Sequence, residues 1–452
     1  MLILLKRCIT ALAIPFIFLS SQSVNANSAV IFVGDGMGFT TIAAARIFYA
    51  QKNKRDSLSG SLSFETFPKI ALVKTASADA QIPDSAATMS SIMTGVKTNS
   101  GMVGVGSKFL RGNCEAVKQD SLTTLVELAE ASGKLTGIIS TSRITDATPA
   151  AAYAHVADRK WENNASTPVR ARAGNCGDIA KQLISFKYGN GIDLILGGGR
   201  ENFLPKDFSD EEYPEETGKR EGTENLIQQW LGQSKGRRYV WNRSQLSSVD
   251  TRDTQQILGL FEPKEMLFEA ERGLGRGDEP SLTEMVDFAI GFLQEKSGDR
   301  GFLLVVEAAR IDHGNHFKNT YLALSDTVEL STAVEKAMPS LDLAETLVLV
   351  TADHASSLAF TGYPEKDMPV QASLSFPSFT FLGGSGFQMG HMQDKALLDS
   401  LDFDPNAVPS PHAGEDVPAY AVGKGSSAVS GVLEQKELFN VISDAIFDGV
   451  SD

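Results

Sequence analysis

The sequence predicts an α/β fold with a mostly parallel central sheet, and three observations support this prediction. Short apolar runs recur along the chain, amphipathic helical patterns lie between them, and several runs end at an acidic residue. Apolar runs of this length are typical of strands that are buried on both faces. Strand patterns that alternate with helix patterns are typical of a parallel sheet covered by helices. A chain of 452 residues, 42% of them hydrophobic, can bury such a core.

Five apolar runs are predicted to form strands of the central sheet. Two helical patterns between them, at 121–133 and 281–298, end at a glycine, as helices often do. In chain order the five runs are AVIFVG at 29–34, LTGIIST at 135–141, IDLILGGG at 192–199, GFLLVVE at 301–307 and TLVLVTADH at 346–354.

Two regions interrupt the alternation of strands and helices. Residues 205–255 are polar and charged, and residues 358–410 are rich in Phe, Gly, Ser and Pro without a clear period. We interpret both regions as insertions on the rim of the sheet. Residues 27–452 are then expected to form a single α/β domain.

Residues 1–26 have the pattern of a secretory signal peptide. Lys6 and Arg7 form a positive start, an apolar run follows, and the small residues VNA at 24–26 suit cleavage. The apolar run is shorter than a membrane-spanning helix requires, and an uncleaved anchor is the alternative. We therefore expect a secreted or periplasmic protein that begins near Asn27. The polar C-terminus predicts no lipid-anchor tail, so no membrane anchor is expected.

The two cysteines outside the predicted signal peptide are Cys114 and Cys176. In an oxidising compartment an even pair is typical of one disulfide. Two free thiols are the first alternative, and a zinc site that includes both cysteines is the second.

The acidic balance of the chain argues against one class of partner. The formal net charge is −15, which makes the phosphate backbone of a nucleic acid an unfavourable partner. We expect no nucleic-acid binding. A small anionic substrate would need local cations at its site.

Several of the predicted strands end in acidic side chains. Asp35 follows the first run, Glu307 ends the fourth, and Asp353 follows the fifth. The carboxyl ends of parallel strands meet at one edge of a sheet, where sites form in open α/β folds. Like charges buried together are costly unless cations neutralise them. This pattern therefore predicts bound metal ions.

Histidines in acidic surroundings strengthen the prediction of a metal site. In IDHGNH at 311–316, Asp312 and His316 are four residues apart, so one helical turn would place both on the same face. The alternative is a polar helix start. Asp353 and His354 are adjacent and follow a strand, so they could be metal ligands at the strand end or simply part of a turn. His412 in HAGED is a further candidate, and the alternative is a histidine in a solvated loop. Zinc prefers histidine with carboxylate, and magnesium prefers oxygen ligands.

The stretch PDSAAT at 83–88 allows two interpretations. Asp84 before Ser85 is typical of a helix N-cap. Ser85 could instead be a nucleophile, with small residues after it that leave room for a substrate group. The stretch alone does not decide between these interpretations.

Taken together, these residues resemble the alkaline phosphatase family. The resemblance covers about residues 28–425, and the motifs follow one another in the order of that family. It implies an α/β/α sandwich, usually dimeric, that hydrolyses phosphate monoesters through a phosphoserine with two zinc ions and one magnesium ion. The motifs are VGDGMG, PDSAAT, DATPAA at 146–151, YAHVADR at 153–159, VEAARIDHGNH at 306–316, TADHA at 351–355 and HAGEDVP at 412–418.

The resemblance implies a role for each matching residue. Ser85 corresponds to the nucleophile that becomes phosphorylated, and Arg159 corresponds to the arginine that grips the phosphate. The implied metal ligands are Asp312, His316 and His412 for one zinc ion, Asp35, Asp353 and His354 for the second, and Asp35, Thr148 and Glu307 for the magnesium ion.

Some positions depart from the family pattern. His313 stands where some bacterial relatives have lysine, and Asp146 stands where animal relatives have histidine; the resemblance places both beside the phosphate and the magnesium. Cleavage near Asn27 would leave almost no chain before the first strand, so the N-terminal arm with which some relatives embrace a partner would be missing, although a homodimer is still expected. Animal relatives bind a structural calcium ion. The ligands of such an ion in this chain would fall at Glu212, Glu262 and Glu279.

Two other functions remain alternatives. The first is a relative of the same superfamily that acts on diesters or sulfate esters; such relatives lack the complete set of Thr148, Glu307 and Arg159 around a serine nucleophile. The second is a non-catalytic protein that binds metal or phosphate. Such a protein would be expected to have lost Ser85 or a metal ligand, and this sequence has lost neither.

Overall fold

The computed structural model describes residues 27–56, 60–275, 277–360, 379–381 and 409–447. The predicted signal peptide lies outside these residues, and so does most of the segment 358–410.

A ten-stranded sheet forms the centre of the molecule. Its strands run in the order β14-β2-β13-β8-β1-β7-β3-β4-β6-β5. The strand bounds, in chain order, are β1 Ser28–Gly34, β2 Lys69–Lys74, β3 Leu135–Arg143, β4 Leu194–Gly198, β5 Arg237–Val240, β6 Gln256–Leu260, β7 Phe302–Ala308, β8 Thr346–Ala352, β9 Ala355–Ser356, β10 Leu358–Phe360, β11 Phe379–Phe381, β12 His412–Ala413, β13 Val417–Gly423 and β14 Gly431–Glu434.

Most neighbouring strands of this sheet are parallel. β1 pairs in parallel with β7 and β8, and the row from β7 through β3, β4 and β6 to β5 is also parallel. β13 is the exception, since it runs antiparallel to β8 and β2. All seven residues of β1, β7 and β8 are buried, as parallel strands covered on both faces require.

Helices flank the sheet and complete the expected α/β/α arrangement. Helices α11 and α13 contact each other and pack on β7, while α4 also packs on β7 and α14 packs on β1 and β8. The helix bounds are α1 Phe39–Lys52, α2 Ser85–Thr94, α3 Glu115–Gln119, α4 Leu125–Ala131, α5 Ala147–Ala150, α6 Val169–Ala173, α7 Ile179–Ile184, α8 Leu226–Leu231, α9 Arg243–Ser247, α10 Glu269–Arg272, α11 Leu282–Ser297, α12 Arg310–His316, α13 Thr320–Ala337 and α14 Glu437–Phe447.

Local capping explains where the two predicted helices begin and end. In α11, Ser281 accepts a hydrogen bond from the Glu284 N–H, and the Glu284 carboxylate accepts one from the Ser281 N–H. Thr124 and Glu127 form the same reciprocal box at the start of α4. Gly298 follows α11 with a φ of +52°, a left-handed conformation that favours glycine.

The five predicted strands are all present as parallel strands of the sheet. The strands β2, β5, β6, β13 and β14 were not among those predicted from the sequence. Of these, β5 lies inside the polar region 205–255 and forms one edge of the sheet beside β6. Its residues are RRYV, and most of them are half-buried or exposed, so the strand has no apolar run from which it could be predicted.

The predicted disulfide between Cys114 and Cys176 is confirmed, with Cα atoms 6.1 Å apart. It joins the start of α3 to the segment that precedes α7. Among the described residues we find no helix whose length and apolar character would suit a membrane span.

Candidate active site

Three neighbouring strands deliver carboxylates to one edge of the sheet. β8, β1 and β7 are adjacent, and their carboxyl ends are in register, with Val33 of β1 opposite Glu307 of β7. Asp35 follows β1 directly and Asp353 follows β8. All three acidic side chains are buried. The structure therefore brings together the strand-end acids that the sequence predicted to meet.

The buried acids strongly disfavour one another's ionisation. Burial, followed by the charges of Asp353, Asp312 and Glu307, raises the pKa of Asp35 well above its usual value. Burial and then the charge of Asp146 raise the pKa of Glu307 to about 8, against hydrogen bonds from Ser140 and Thr148. Among the residues that the structure describes, Asp35 Oδ1 and Asp312 Oδ1 are buried and have no hydrogen-bond partner. Cations at this edge would satisfy these oxygens.

Ser85 is the first residue of α2, and Asp84 is its N-cap. The Asp84 carboxylate accepts a hydrogen bond from the Ala87 N–H at 3.4 Å. Every residue of α2 is buried, and Ser85 Oγ lies 3.2 Å from His354 Nε2. PDSAAT is therefore a helix start that places a serine hydroxyl against the carboxylate edge.

The first group of metal-type donors comes from α12 and β12. His316 Nε2 lies 2.8 Å from Asp312 Oδ2, which confirms that the two side chains share one helix face. His412 Nε2 lies 3.2 Å from His316 Nε2 and 3.8 Å from Asp312 Oδ2. Two donors from α12 and one from β12 thus converge.

The outer ring nitrogens of both histidines face backbone carbonyls. His316 Nδ1 lies 2.6 Å from the Ser410 oxygen, and His412 Nδ1 lies 2.9 Å from the Pro83 oxygen. A carbonyl oxygen only accepts, so each Nδ1 carries a proton, and this leaves each Nε2 as the ring atom that can serve as ligand to a cation. Burial and then His354 lower the pKa of His412 to about 4. This donor set fits a divalent cation.

The second group of donors is formed by Asp35, Asp353 and His354. Their ligand atoms lie within 4.8 Å of one another, and His354 Nε2 is 3.4 Å from Asp35 Oδ1 and 3.3 Å from Asp353 Oδ2. His354 also lies within 4.8 Å of Asp312 and His412, and its ring stacks on that of His412 with centroids 3.6 Å apart. The two donor groups are therefore contiguous.

Thr148 and Glu307 form a third donor pair near Asp35. Thr148 is buried in the short helix α5 and hydrogen-bonds to Glu307. Glu307 also accepts a hydrogen bond from the Ser140 hydroxyl. The charge of Glu307 acts directly on Asp35 and raises its pKa. These oxygen donors, without a histidine, are the kind that magnesium prefers.

Arg159 is held between two carboxylates beside Ser85. It donates to Asp84 Oδ2 at 3.0 Å and to Asp146 Oδ1 at 3.1 Å. These bonds use two of its five N–H groups, which leaves others for a phosphate oxygen. Although burial opposes ionisation, Arg143, Arg159 and His313 hold the pKa of Asp146 well below its usual range. Asp146 therefore anchors Arg159 as a permanent anion.

His313 lies on α12 with its Nδ1 2.9 Å from Nη1 of Arg310. Burial and then the charge of Arg310 lower its pKa to about 4, while Asp146 and Glu265 oppose this effect. The imidazole is therefore neutral at alkaline pH.

Sequence reasoning missed two arginines that shape this region. Arg143 pairs with Asp146 at 3.1 Å and with Glu162 at 2.8 Å. Arg310 stacks on the Phe268 ring with its guanidinium carbon 3.6 Å from the centroid. The position of Arg310, two residues before Asp312, was a signal that could have drawn attention to it.

The three acids considered for calcium also lie near one another. Burial and then Glu212 raise the pKa of Glu262 to about 7, and burial and then Glu262 raise that of Glu279 to about 9. Each also has a protein partner: Glu212 pairs with Arg200, Glu262 accepts from Tyr213, and Glu279 accepts from the Leu267 N–H.

Comparison with known proteins agrees with this geometry. The family profile described as alkaline phosphatase matches residues 26–379. The tissue-nonspecific alkaline phosphatase of Gallus gallus is 38% identical over 440 residues, covering 92% of this chain and 84% of that protein. The alkaline phosphatase of Gadus morhua is 36% identical, covering 92% and 91% of the two chains.

Solved structures of similar fold are alkaline phosphatases as well. The enzyme of Thermus thermophilus has a TM-score of 0.67 at 22% identity, covering 96% of both chains. That of the Antarctic bacterium TAB5 has a TM-score of 0.64 at 22% identity, covering 94% of this chain and 98% of the other. At this identity they show the shared fold. With the profile and the curated relatives, the chain belongs to the alkaline phosphatase family of phosphomonoesterases.

Proposed function

We propose that this protein hydrolyses phosphate monoesters through a covalent phosphoserine on Ser85, with two zinc ions and one magnesium ion as cofactors. The observation that carries the proposal is the position of the Ser85 hydroxyl. It lies at the start of a buried helix, 3.2 Å from His354 and beside two contiguous groups of carboxylate and imidazole donors.

The donor chemistry supports the assignment of the three ions. When bound, such ions supply Lewis-acid chemistry, which lowers the pKa of a hydroxyl or water and neutralises charge on a phosphoryl group. We assign the ligands by donor type, with the histidine-containing groups to zinc and the oxygen-only group to magnesium. They are Asp312, His316 and His412; Asp35, Asp353 and His354; and Asp35, Thr148 and Glu307.

The protein's own residues orient the reaction. Ser85 Oγ gives up its proton and forms a bond to phosphorus as the bond to the leaving group breaks, and the departing oxygen takes up a proton to become the alcohol. Water then attacks phosphorus, the phosphoserine bond breaks and Ser85 Oγ regains a proton, which restores the serine and releases inorganic phosphate. Arg159, fixed by Asp84 and Asp146, binds phosphate oxygens with its remaining N–H groups. The N-terminus of α2 adds positive potential where the phosphoryl group would lie.

The same proposal covers the cellular context. The disulfide supports an oxidising compartment, so we place the protein outside the cytoplasm, secreted or periplasmic, after removal of residues 1–26. We further propose that residues 27–452 form one α/β domain and that the protein is a homodimer. A calcium ion bound by Glu212, Glu262 and Glu279 would be a separate structural site.

Steady-state kinetics with three substrates tests the function. A phosphate monoester, a phosphate diester and a sulfate ester with the same leaving group should be compared on the purified protein. We expect the monoester to have by far the largest kcat/KM, chelation to abolish the activity, and zinc with magnesium to restore it. A preference for the diester or the sulfate ester would favour the first alternative, and no turnover of any ester would favour a binding protein.

A further inference from the structure

His155 lies four residues before Arg159, and both of its ring nitrogens face acceptors. Nδ1 is 2.7 Å from the Gly104 carbonyl oxygen, and Nε2 is 2.8 Å from Glu127 Oε1. A carbonyl oxygen cannot donate, so Nδ1 carries a proton, and with Glu127 as a carboxylate Nε2 carries one as well. The geometry therefore describes an imidazolium paired with a carboxylate, in which Glu127 is 3% exposed.

If the His155 ring lost one proton, one of its two hydrogen bonds, to the Gly104 oxygen or to Glu127, would break. A neutral ring would turn a lone pair either toward the Gly104 oxygen or toward Glu127, so two acceptors would face each other. The surrounding groups act on this balance: Lys187 disfavours the charged ring, and the Tyr188 hydroxyl bonds to Glu127. Burial lowers the pKa of His155, but Glu127 and the Gly104 carbonyl raise it by more.

Gly104 approaches this segment too closely for any other residue. Its φ is +61°, and a Cβ atom there would lie 2.2 Å from the Ala154 oxygen and 2.8 Å from His155 Nδ1. On the other side, the Gln182 side-chain amide forms two hydrogen bonds with the His155 backbone: it accepts one from the His155 N–H at 2.8 Å and donates one to the His155 carbonyl oxygen at 3.1 Å. The imidazole is therefore fixed against the Gly104 loop, residues 101–106.

The Gly104 loop in turn touches the segments that carry the proposed phosphate site. The Gly104 N–H donates to Ser90 Oγ of α2 at 2.9 Å. The Gly101 N–H donates to Asp84 Oδ1 at 2.8 Å, and the Gly101 carbonyl accepts from the Arg159 N–H at 2.8 Å. Asp84 is also a partner of the Arg159 side chain. The loop thus holds both the backbone of Arg159 and the carboxylate that orients its guanidinium.

We propose that His155 is a positioning residue for Arg159: as an imidazolium it fastens the Gly104 loop to α4, and this loop sets the place of the arginine that grips phosphate. The inference rests on the proposed function, in which Arg159 binds the phosphate. The Glu127–His155 pair would then affect phosphate binding through the Gly104 loop and Arg159, without touching the phosphate itself.

A double-mutant cycle tests this role. The variants are His155→Ala, Arg159→Ala and the double variant, and the readouts are kcat, KM for a monoester and the inhibition constant of inorganic phosphate. His155→Ala should weaken phosphate inhibition about tenfold, the size expected for losing one charge-assisted hydrogen bond, and should change kcat less. With Arg159→Ala already present, His155→Ala should have no further effect. Effects that multiply independently would overturn the proposal.

Nuclear magnetic resonance of 15N-labelled histidine tests the protonation state directly. In the folded wild type the His155 ring should keep protons on both nitrogens to a higher pH than a histidine in an unfolded peptide does; loss of the second proton at or below the pH seen in the peptide would overturn the proposal. The isosteric variant Glu127→Gln serves if His155→Ala does not fold. It should lower the pH at which the ring loses its proton and should weaken phosphate inhibition above that pH.

Glu130→Gln, on the same helix as Glu127, is the matched control, since Glu130 bonds to Thr136 away from the Gly104 loop. Phosphate inhibition should be unchanged in this variant, and a loss equal to that of Glu127→Gln would contradict a specific role for His155. Absence of monoester hydrolysis in the wild type would overturn the proposed function itself. Hydrolysis without coupling between His155 and Arg159 would overturn only this inference.

Discussion

Replacing Glu130 by glutamine is expected to raise the free energy of unfolding relative to the wild type, by an amount that grows as the pH rises. Glu130 lies near the end of α4, 2% exposed, where its carboxyl group accepts a hydrogen bond from Thr136 and interacts with Asp193. Burial and then the charge of Asp193 raise the pKa of Glu130 to about 9. The carboxyl group therefore stays protonated in the folded protein at neutral pH, whereas in the unfolded chain it ionises.

The sign and size of the effect follow from these pKa values. Because the folded-state pKa is the higher one, the stability that Glu130 contributes is fully present below about pH 4 and is lost as the pH rises to about 9. Between these limits the folded state binds one proton more, so the loss is about 1.4 kcal/mol per pH unit. Between pH 5 and pH 8, the free energy of unfolding of Glu130→Gln should therefore rise by about 4 kcal/mol relative to that of the wild type.

Urea unfolding at pH 5, 6, 7 and 8, in excess chelator for every protein, measures this difference. Glu115→Gln is the control, because Glu115 is on the surface and its carboxylate pairs with Lys118 and Gln119 on its own helix. The difference between wild type and Glu130→Gln should grow with pH, and that between wild type and Glu115→Gln should not. A difference for Glu130→Gln that stays constant from pH 5 to pH 8 would refute the reasoning.

Three further changes probe the metals, the crosslink and the phosphate site. Asp312→Ala should lower the zinc content by one ion per chain, since an open three-ligand site cannot spare a ligand, and unchanged zinc content would contradict the assignment. Cys114→Ser with Cys176→Ser should cost about 4 kcal/mol in the free energy of unfolding, from a sequence separation of 62 residues, and an unchanged urea midpoint would argue against this. His313→Lys should tighten phosphate inhibition and lower kcat, because a fixed cation replaces a neutral imidazole and slows product release; equal inhibition constants at two alkaline pH values would place residue 313 outside the phosphate site.

The strand ends could be predicted from the sequence because their signal is local. Asp35 and Asp353 directly follow apolar runs, and the edge at which parallel strands end is fixed by the fold class. Asp312 and His316 needed only the helical period. These residues form the core of the candidate site.

The surroundings of Arg159 could not be predicted in this way. Arg159 meets Asp84 across 75 positions in the chain, and no periodicity in the sequence relates the two. Likewise, β5 carries polar residues at the edge of the sheet, where a strand needs no apolar run. Such features depend on tertiary packing, which overrides local pattern.

The central claim is the covalent phosphoserine, and trapping with labelled phosphate tests it most directly. The protein should be incubated with 32P-labelled phosphate at acidic pH, denatured and digested, and the label should be located by peptide mapping. We predict one labelled site in the wild type, Ser85, and no label in Ser85→Ala, which should keep its zinc and only a small residual activity. Label on a residue other than Ser85, or full activity in Ser85→Ala, would contradict the account.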